Sequence, residues 1–452
     1  MSGIFSIVVA SFGSAASPVG LLAAISNPNG NAVDSFNLAI RSDQLNASVQ
    51  TSAASVTQLT VLSLPLALSS ITWQTALTDA ADLQKAAAIQ IDSAGNPVVA
   101  GSKYVTANGF YTGYVAKFNS SGVIQWQRRI NNNSDFFGLT LDSSDNVYCA
   151  GAARFFSSSL TDIYVAKLNS SGTLQFRRNI GNTSTPFESA TSISINNVDY
   201  FNVVGQTNSP GNTDSAFIIL NRSTGATVGA TTQRDSGGSG IQEGKALIRG
   251  EGDTVSYCLV RSYATLSPGS NSNQVLLRHT NAGGFVWQSQ LSDSQTLDPV
   301  GLIMDPSGTH VYTCATALSS DGLRNELLLA KYVSSTGSLV WQRKLACPTA
   351  SLVAKSIATD SLDNVYITLD QTLAAVSNRG LVLKVPGSGA GAGNSAVLEG
   401  STYTYSVSTV TSSSGALVIA AYSPTNSEFS ETTVTPTATS AANTLAIASQ
   451  TL

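Results

Sequence analysis

The sequence predicts an all-β fold, a six-bladed β-propeller of four-stranded blades with small β-rich attachment regions before and after it. Three short signatures predict this fold, and each occurs six times: a strand that ends in a cation, a turn that begins with Asp, and a strand that carries an aromatic residue. The runs around them alternate between apolar and polar residues and are interrupted by Asn, Ser and Gly, which is typical of strands joined by tight turns. A repeat of this size and content is typical of a propeller blade.

The cation-ending strand is clearest in "YVAKFN", which contains Lys117, and in "YVAKLN", which contains Lys167. With four further positions aligned to these two, the six anchors are Lys117, Lys167, Leu220, Arg278, Lys331 and Lys384. The steps between neighbouring anchors are 50 to 58 residues long. Because strands usually contain about five to six residues, each step has room for four strands and their turns.

The Asp-containing turn is clearest in "LDSSDNVYCAG" and "IDSAGNPVVAG". Its six copies begin at Ile91, Leu141, Ile195, Gly250, Met304 and Thr359. Asp is favoured at the first position of a turn because its side chain accepts hydrogen bonds from the backbone that follows, and Gly, Asn and Asp tolerate a positive φ at the later positions. The motif therefore predicts a tight turn between two strands of one blade.

The aromatic strand is offset from the other two signatures. Its positions are Trp73, Trp126, Phe176, Gly229 (where the aromatic residue is lost), Trp287 and Trp341. Trp73 precedes the first cation-ending strand, and no aromatic strand follows Lys384. We therefore expect the strand around Trp73 to complete the last blade and close the ring.

The combined pattern "DSxGNVYVAG … YVAKLNSSGxLxWxxxx" resembles the SBBP-type β-propeller repeat of bacterial and viral surface proteins. The resemblance covers roughly residues 71–398 and is weakest in the third and fourth copies. It implies a propeller fold and says little about activity, because function lies in loops carried by the ring.

The regions on either side of the repeats are predicted to be separate: an N-terminal attachment region over residues 1–70 and a C-terminal β-hairpin and tail over residues 399–452. Residues 1–33 contain no charged residue, and their apolar runs "IFSIVVASF" and "VGLLAAI" are too short to span a membrane. No Lys or Arg precedes Arg41, so we expect no export signal peptide. In the C-terminal region "STYTYSVSTV" and "ALVIAAYS" predict two strands, and "TSSSG" between them predicts a hairpin turn.

Candidate catalytic and metal-ligating residues are few. The chain has two histidines, His279 and His310, and neither has another ligand at metal-binding spacing. The carboxylate pairs Asp142/Asp145 and Asp360/Asp363 fall in the repeated turn, where capping of the backbone accounts for them. Its four cysteines lack a C-x-x-C spacing and are interpreted as unpaired, three of them as small hydrophobic residues within strands. We predict a non-enzymatic protein with no catalytic residue, metal site or cofactor.

The cation-ending strands predict one recurrent charged feature. In a closed ring, Lys117, Lys167, Arg278, Lys331 and Lys384 would form a circle of positive charge. This circle is a candidate contact site for an anion, such as a phosphate or an acidic sugar, or for a protein partner. The alternative is that each cation pairs with a turn Asp or a backbone carbonyl within its own blade, since the turn Asp repeats with the same period.

Composition narrows the functional class. Only 11% of residues are charged and the net charge is −4, which argues against a nucleic-acid partner. We predict a structural protein of a tailed bacteriophage virion, in the tail, the fibre or the capsid surface. It would be multimeric, would contact other virion proteins through residues 1–70 and 399–452, would display the propeller to a protein or a host-surface glycan, and would not insert into a membrane. The alternatives are a bacterial secreted or cell-surface adhesion propeller and a propeller glycan hydrolase or lyase.

Overall fold

The structure of the chain is a computed structural model. Its described residues form β-strands joined by turns. It describes the backbone of five short strands before residue 64, together with residues 84–106, 109–130, 133–154, 161–181, 187–196, 199–209, 212–234, 240–250, 254–263, 271–280, 283–293, 295–373, 377–393, 395–398, 401–414, 418–421 and 425–427. Two compact units divide the chain: Met1–Ala76 with Ala442–Leu452, and Leu77–Ala441.

The N-terminal region contains two small sheets. Their strands are β1 (Ser6–Ser11), β2 (Leu21–Ser26), β3 (Phe36–Ile40), β4 (Gln50–Thr51) and β5 (Leu59–Ser63). Strands β1 and β2 pair antiparallel, β4 joins β2 in parallel, and β3 pairs with β5 in parallel. The two apolar runs of residues 1–33 thus contain strands that pair with each other.

The second compact unit is a row of antiparallel sheets, which we call repeat units 1 to 6. Unit 1 contains β6 (Gln84–Ile91), β7 (Pro97–Val105), β8 (Phe110–Phe118) and β9 (Ile124–Ile130); unit 2 contains β10 (Asn133–Leu141), β11 (Val147–Arg154), β12 (Thr161–Leu168) and β13 (Leu174–Gly181); unit 3 contains β14 (Glu188–Ile195), β15 (Tyr200–Ser209), β16 (Asn212–Asn221) and β17 (Thr227–Arg234). Unit 4 contains β18 (Ile241–Arg249), β19 (Val255–Tyr263), β20 (Ser272–Thr280) and β21 (Phe285–Ser292); unit 5 contains β22 (Leu297–Met304), β23 (His310–Leu318), β24 (Asn325–Val333) and β25 (Leu339–Ala346); unit 6 contains β26 (Ala350–Thr359), β27 (Asn364–Leu373) and β28 (Ser377–Pro386). The predicted all-β fold of repeated four-stranded antiparallel sheets is confirmed.

Neighbouring units share hydrophobic cores. The described residues form five cores, and each is made by two consecutive units, from units 1 and 2 to units 5 and 6. In the core between units 5 and 6, Tyr312 and Trp341 pack with Leu352 and Ile367. Burial of one aliphatic side chain stabilises by about 1.5–3 kcal/mol. A single repeat unit cannot bury both of its faces alone, so the units stabilise one another.

The first strand of every unit has a β-bulge at the same place. The bulged residues are Ala87, Phe137, Thr191, Lys245, Val300 and Lys355. In the first three units the residue opposite the bulge is the Gly of the "AG" or "VG" pair. A Cβ atom on Gly151 would collide with the carbonyl oxygen of Asp135. The close approach of the bulged backbone therefore requires Gly in those units.

The C-terminal strands differ from the prediction. They are β29 (Ser395–Leu398), β30 (Ser401–Val407), β31 (Thr411–Ser413), β32 (Val418–Ala421) and β33 (Thr425–Ser427). The predicted hairpin between "STYTYSVSTV" and "ALVIAAYS" is wrong, because β30 pairs with β25 of unit 5 and β32 pairs with β17 of unit 3. The fourth strand of a unit leaves a row of unpaired backbone groups. Strands β30 to β33 pair with four of these edges, so they belong to the sheets of the repeat units.

Candidate functional site

The five predicted ring cations lie at equivalent positions in the third strand of their units. Four of them stand directly opposite a Tyr of the second strand, in the pairs Tyr148/Lys167, Tyr257/Arg278, Tyr312/Lys331 and Tyr366/Lys384, and Lys117 stands opposite Val98. In units 1, 2, 4 and 5 a bulge follows the cation directly. The same bulge in unit 3 follows Ile219, not Leu220. The alignment of Leu220 with the cations is therefore wrong by one residue, and Ile219 occupies the position.

Lys117 forms the closest of these ion pairs. Its ammonium lies 2.7 Å from Asp92 of the turn in the same unit. Burial alone would raise the pKa of Asp92, but the Lys117 ammonium and hydrogen bonds from Asn96 outweigh this effect and lower the pKa to about 2. Asp92 therefore stays ionised, and its charge is balanced within unit 1.

The other cations contact the turn of the next unit or of their own. Lys331 lies 3.1 Å from Asp363 and donates to the carbonyl oxygen of Gly387, both in unit 6. The remaining contacts are Lys167 to the carbonyl oxygen of Arg222 at 2.9 Å, Arg278 to that of Ser335 at 3.4 Å, and Lys384 to the carboxylate of Asp360 at 3.9 Å. Each cation thus has a partner on the protein. A role of the circle in binding an anion or a partner stays a prediction.

The carboxylate pairs of the turns connect consecutive units. Asp142 accepts hydrogen bonds from the backbone N–H groups of Ser144 and Asn146, and Arg222 of unit 3 lies 2.6 Å from its second oxygen. Asp145 has a φ of 58° and accepts hydrogen bonds from the backbone and the hydroxyl of Ser93 in unit 1. Each carboxylate therefore caps its own turn or binds a neighbouring unit.

The second pair has the same roles. Asp360 accepts hydrogen bonds from the backbone N–H groups of Leu362 and Asn364. Asp363 has a φ of 62°, accepts a hydrogen bond from the Tyr312 hydroxyl at 2.8 Å, and pairs with Lys331. Both contacts of Asp363 come from unit 5. The pair therefore acts in turn formation and in the junction between units 5 and 6.

The aromatic signature forms a second junction between units. The ring of the fourth strand packs against a turn glycine of the next unit that has positive φ, in the pairs Trp126/Gly172, Phe176/Gly225, Trp287/Gly337 and Trp341/Gly389. A Cβ atom on any of these glycines would lie within 3 Å of the ring. Phe176 and Trp341 are buried, and Trp126 and Trp287 are partly buried. The aromatic residue and the glycine therefore form one repeated contact.

Unit 6 borders an apolar groove. Among the described residues β28 has no fourth-strand partner. A cavity of about 550 Å³ lies beside it, and its lining includes Leu369, Leu381, Leu383, Tyr403 and Tyr405. Its lining combines β27 and β28 of unit 6 with β30, which extends the sheet of unit 5.

Unit 1 has an uncovered apolar face at the other end of the row. Ile89 is 60% exposed, whereas the equivalent Leu139, Ile193, Leu247 and Leu302 are only 5–6% exposed. The equivalent residues are covered by the preceding unit, as Ile193 is by Gly138 of unit 2. Unit 1 has no preceding unit along the described chain, so Ile89 is exposed.

The sequence analysis did not predict the junction contacts of two side chains, Arg222 and His279. Arg222 replaces the first Ser of the "NSSG" turn, and this substitution is the signal that could have identified its contact with Asp142. His279 is fully buried with its ring stacked on Phe217 of unit 3 at 4.4 Å between centroids. Burial lowers the pKa of His279 to about 4. No local pattern in the sequence indicates this stacking.

The sequence matches no protein-family model and no curated protein. Among solved structures, the chain is similar to the Pan2 WD40 domain of Neurospora crassa, with 10% identity, a TM-score of 0.36, and coverage of 71% of this chain and 89% of that domain. A protein of unknown function from Bacteroides caccae has 9% identity and a TM-score of 0.33, with coverage of 61% and 86%. A Lactobacillus plantarum protein has 14% identity and a TM-score of 0.28, with coverage of 53% and 82%. Likenesses this low carry no information about what the chain binds or does.

In the described part of the chain, no helix has the length and apolarity needed to cross a membrane. Over the same residues, no three side chains of His, Cys, Asp or Glu come together as a metal site would require. All four cysteines are free and buried. Burial raises the pKa of the Cys314 thiol to about 12, which keeps it protonated and unreactive.

Proposed function

We propose that the chain is a non-enzymatic structural protein that displays a closed six-bladed β-propeller within a larger assembly, the virion of a tailed bacteriophage. One observation carries the structural role: the charged and aromatic residues of the repeat signatures contact the turn of their own unit or of the next. Asp142 and Asp363 belong to the two carboxylate pairs that were considered as catalytic candidates. They form ion pairs with Arg222 and Lys331 of neighbouring units. The charged and aromatic side chains of the repeat signatures therefore stabilise turns and the contacts between units.

Closure of the ring is supported by the two ends of the row. Unit 6 borders an apolar groove of about 550 Å³, and unit 1 exposes Ile89 at a position that its equivalents bury. Residues 71–76 lie outside the described residues; in the sequence they carry the aromatic signature, with Trp73 at the position of Trp341. In the proposed ring this segment is the fourth strand of unit 6, which fills the groove and brings units 1 and 6 into contact. The six units are then six blades.

Closure of the ring by residues 71–76 predicts that Trp73 contributes strongly to the free energy of unfolding. Trp73→Ala should lower the free energy of unfolding by about 3–5 kcal/mol, as deletion of a buried aromatic ring does. Urea unfolding measures it, and the adjacent Gln74→Ala is the matched control, expected to change the free energy by less than about 0.5 kcal/mol. Equal, small effects of both substitutions would contradict closure by residues 71–76.

The virion role is supported by composition: 11% of the residues are charged, and residues 1–33 contain no charged residue. An uncharged segment with apolar strands needs a covering surface, which other virion proteins would supply. Residues 1–70 are the proposed attachment region.

Mass spectrometry of particles purified by density gradient tests the virion role. The chain should be present at a fixed ratio to the major capsid protein in intact particles. Recovery only with the bacterial envelope or in the particle-free medium would instead identify an adhesion propeller. Depolymerisation of host polysaccharide by the purified chain would overturn the non-enzymatic assignment.

A further inference from the structure

The C-terminal strap, which we define as β30 to β33 (residues 401–427), follows the outer edges of the units in reverse order. Strand β30 pairs antiparallel with the fourth strand of unit 5, and β31, β32 and β33 pair antiparallel with those of units 4, 3 and 2. Each contact is three or four residues long. The strap therefore adds a short fifth strand to four consecutive sheets.

The register of these pairings is constant. The directly opposed pairs are Lys344/Ser406, Gln290/Ser413, Thr232/Ala420 and Asn179/Ser427. The first member of each pair lies three residues after the aromatic position of its unit, and the second members follow one another every seven residues. Seven residues of extended chain span at most about 23–25 Å. One unit of the repeat thus corresponds to seven residues of the strap.

The strap is also anchored between two of these pairings. Val410 lies between β30 and β31, is buried in the core of units 4 and 5, and accepts a hydrogen bond at its carbonyl oxygen from the Gln342 side chain at 2.6 Å. The side chain of Tyr403 in β30 is buried in the core of units 5 and 6. The seven-residue spacing between the pairings with units 5 and 4 is therefore fixed by side-chain packing as well as by backbone pairing.

Unit 1 continues the same series. Its fourth strand, β9, has no fifth strand among the described residues, whereas units 2 to 5 each have one. Arg129 lies three residues after Trp126, at the position that the strap meets in the other units. Residues 428–452 follow the last described pairing, so the chain is long enough for another step.

We propose that the outer edge of β9 binds residues 432–434 of this chain as a fifth strand, with Val434 opposite Arg129. Thr432, Thr433 and Val434 are β-branched, which favours a strand. Pro436 follows the pairing, where the lost N–H removes no ladder hydrogen bond. The proposal depends neither on closure of the ring nor on a virion role. Its consequence is that the strap covers the outer edges of five consecutive units, which prevents edge-to-edge association of exposed strands.

Disulfide trapping in the full chain tests the register. Arg129→Cys with Val434→Cys should form an intramolecular disulfide on mild oxidation, detected by mass spectrometry of the unreduced digest. The matched positive control is Gln290→Cys with Ser413→Cys, an equivalent pair whose opposition is described. Arg129→Cys with Thr437→Cys is the matched negative control, because a shift of three residues moves the Cα atoms beyond the roughly 7 Å limit for a disulfide. The natural cysteines are buried and do not compete.

Three results would overturn the proposal: no Arg129→Cys/Val434→Cys disulfide while the positive control forms, preferential trapping of the shifted pair, or a disulfide only between two copies when the single variants are mixed. A second readout needs no cysteine. In a chain that ends at Ser430, those backbone amides of residues 129–131 that point away from β8 should exchange hydrogen about tenfold faster than in the full chain, since they lose their pairing partner. Unchanged exchange there would also overturn the proposal.

Discussion

Trp341→Ala is expected to lower the free energy of unfolding by about 3–5 kcal/mol, the cost of deleting a well-packed aromatic ring. Trp341 is 8% exposed and lies in the core shared by units 5 and 6. Its indole N–H donates to the carbonyl oxygen of Gly387 at 3.1 Å, and its ring packs on Gly389. The substitution therefore removes packing and leaves a buried carbonyl with one partner fewer. Urea unfolding followed by circular dichroism measures the loss.

Val340→Ala is the matched control. Val340 is the neighbouring residue on the same strand, is 49% exposed and points away from the core. We expect a change within about 0.5 kcal/mol. If Trp341→Ala were as mild as Val340→Ala, the contact between the aromatic residue and the glycine of the next unit would not be a principal stabiliser of the repeat.

The strands and turns inside a unit could be predicted because their determinants are local. Asp142 takes its hydrogen bonds from Ser144 and Asn146, residues two and four positions later, so the motif itself contains the interacting groups. The same holds for Asp360 with Leu362 and Asn364. Period-two alternation then identifies the strands on each side of the turn.

The C-terminal strap could not be predicted because its partners are distant in sequence. Strands β30 and β32 have the alternation of a hairpin, and "TSSSG" between them has the composition of a turn. What decides the pairing is the unpaired edge of units 5 and 3, which exists only after the repeats have folded. The seven-residue step becomes visible only when the register is known.

The positions of the candidate cations were predicted correctly, and the alternative that each cation pairs within its own unit holds for Lys117 and Lys384 but not for the other three. The five cations were aligned with one another by period alone, and the structure places four of them opposite a Tyr. Their partners vary: Lys117 pairs within unit 1, whereas Lys331 pairs with Asp363 of unit 6. The period of the sequence repeat identifies the equivalent residues. The packing of neighbouring units determines which carboxylate or carbonyl group each cation contacts. The loss of the cation in unit 3, where Ile219 replaces it, also shifted the alignment by one residue.

Acid should destabilise the junction of units 3 and 4 through His279. Its ring stacks on Phe217, and among the described residues neither ring nitrogen has a hydrogen-bond partner of normal geometry. Burial lowers the pKa of His279 from 6.5 to about 4, although the backbone of Gly283 opposes the shift. Between these two pH values the unfolded chain binds the proton and the folded chain does not. The stabilisation is therefore complete above pH 6.5 and is lost as the pH falls toward 4, by about 3 kcal/mol in total.

The comparison of natural chain and His279→Leu isolates this effect. Leu keeps an apolar side chain in the stack and removes the titrating group, so the variant should lose about 3 kcal/mol less stability than the natural chain between pH 7 and pH 4. The comparison of the two chains is needed because Asp162 has the opposite effect on the pH profile of both. Burial and the charge of Glu188 raise the pKa of Asp162 to about 6, so this residue stabilises the folded chain on acidification. His310→Leu is the control at a partly exposed position, where the ring contacts Asp305. Parallel pH profiles for the natural chain and His279→Leu would show that His279 does not control the acid response.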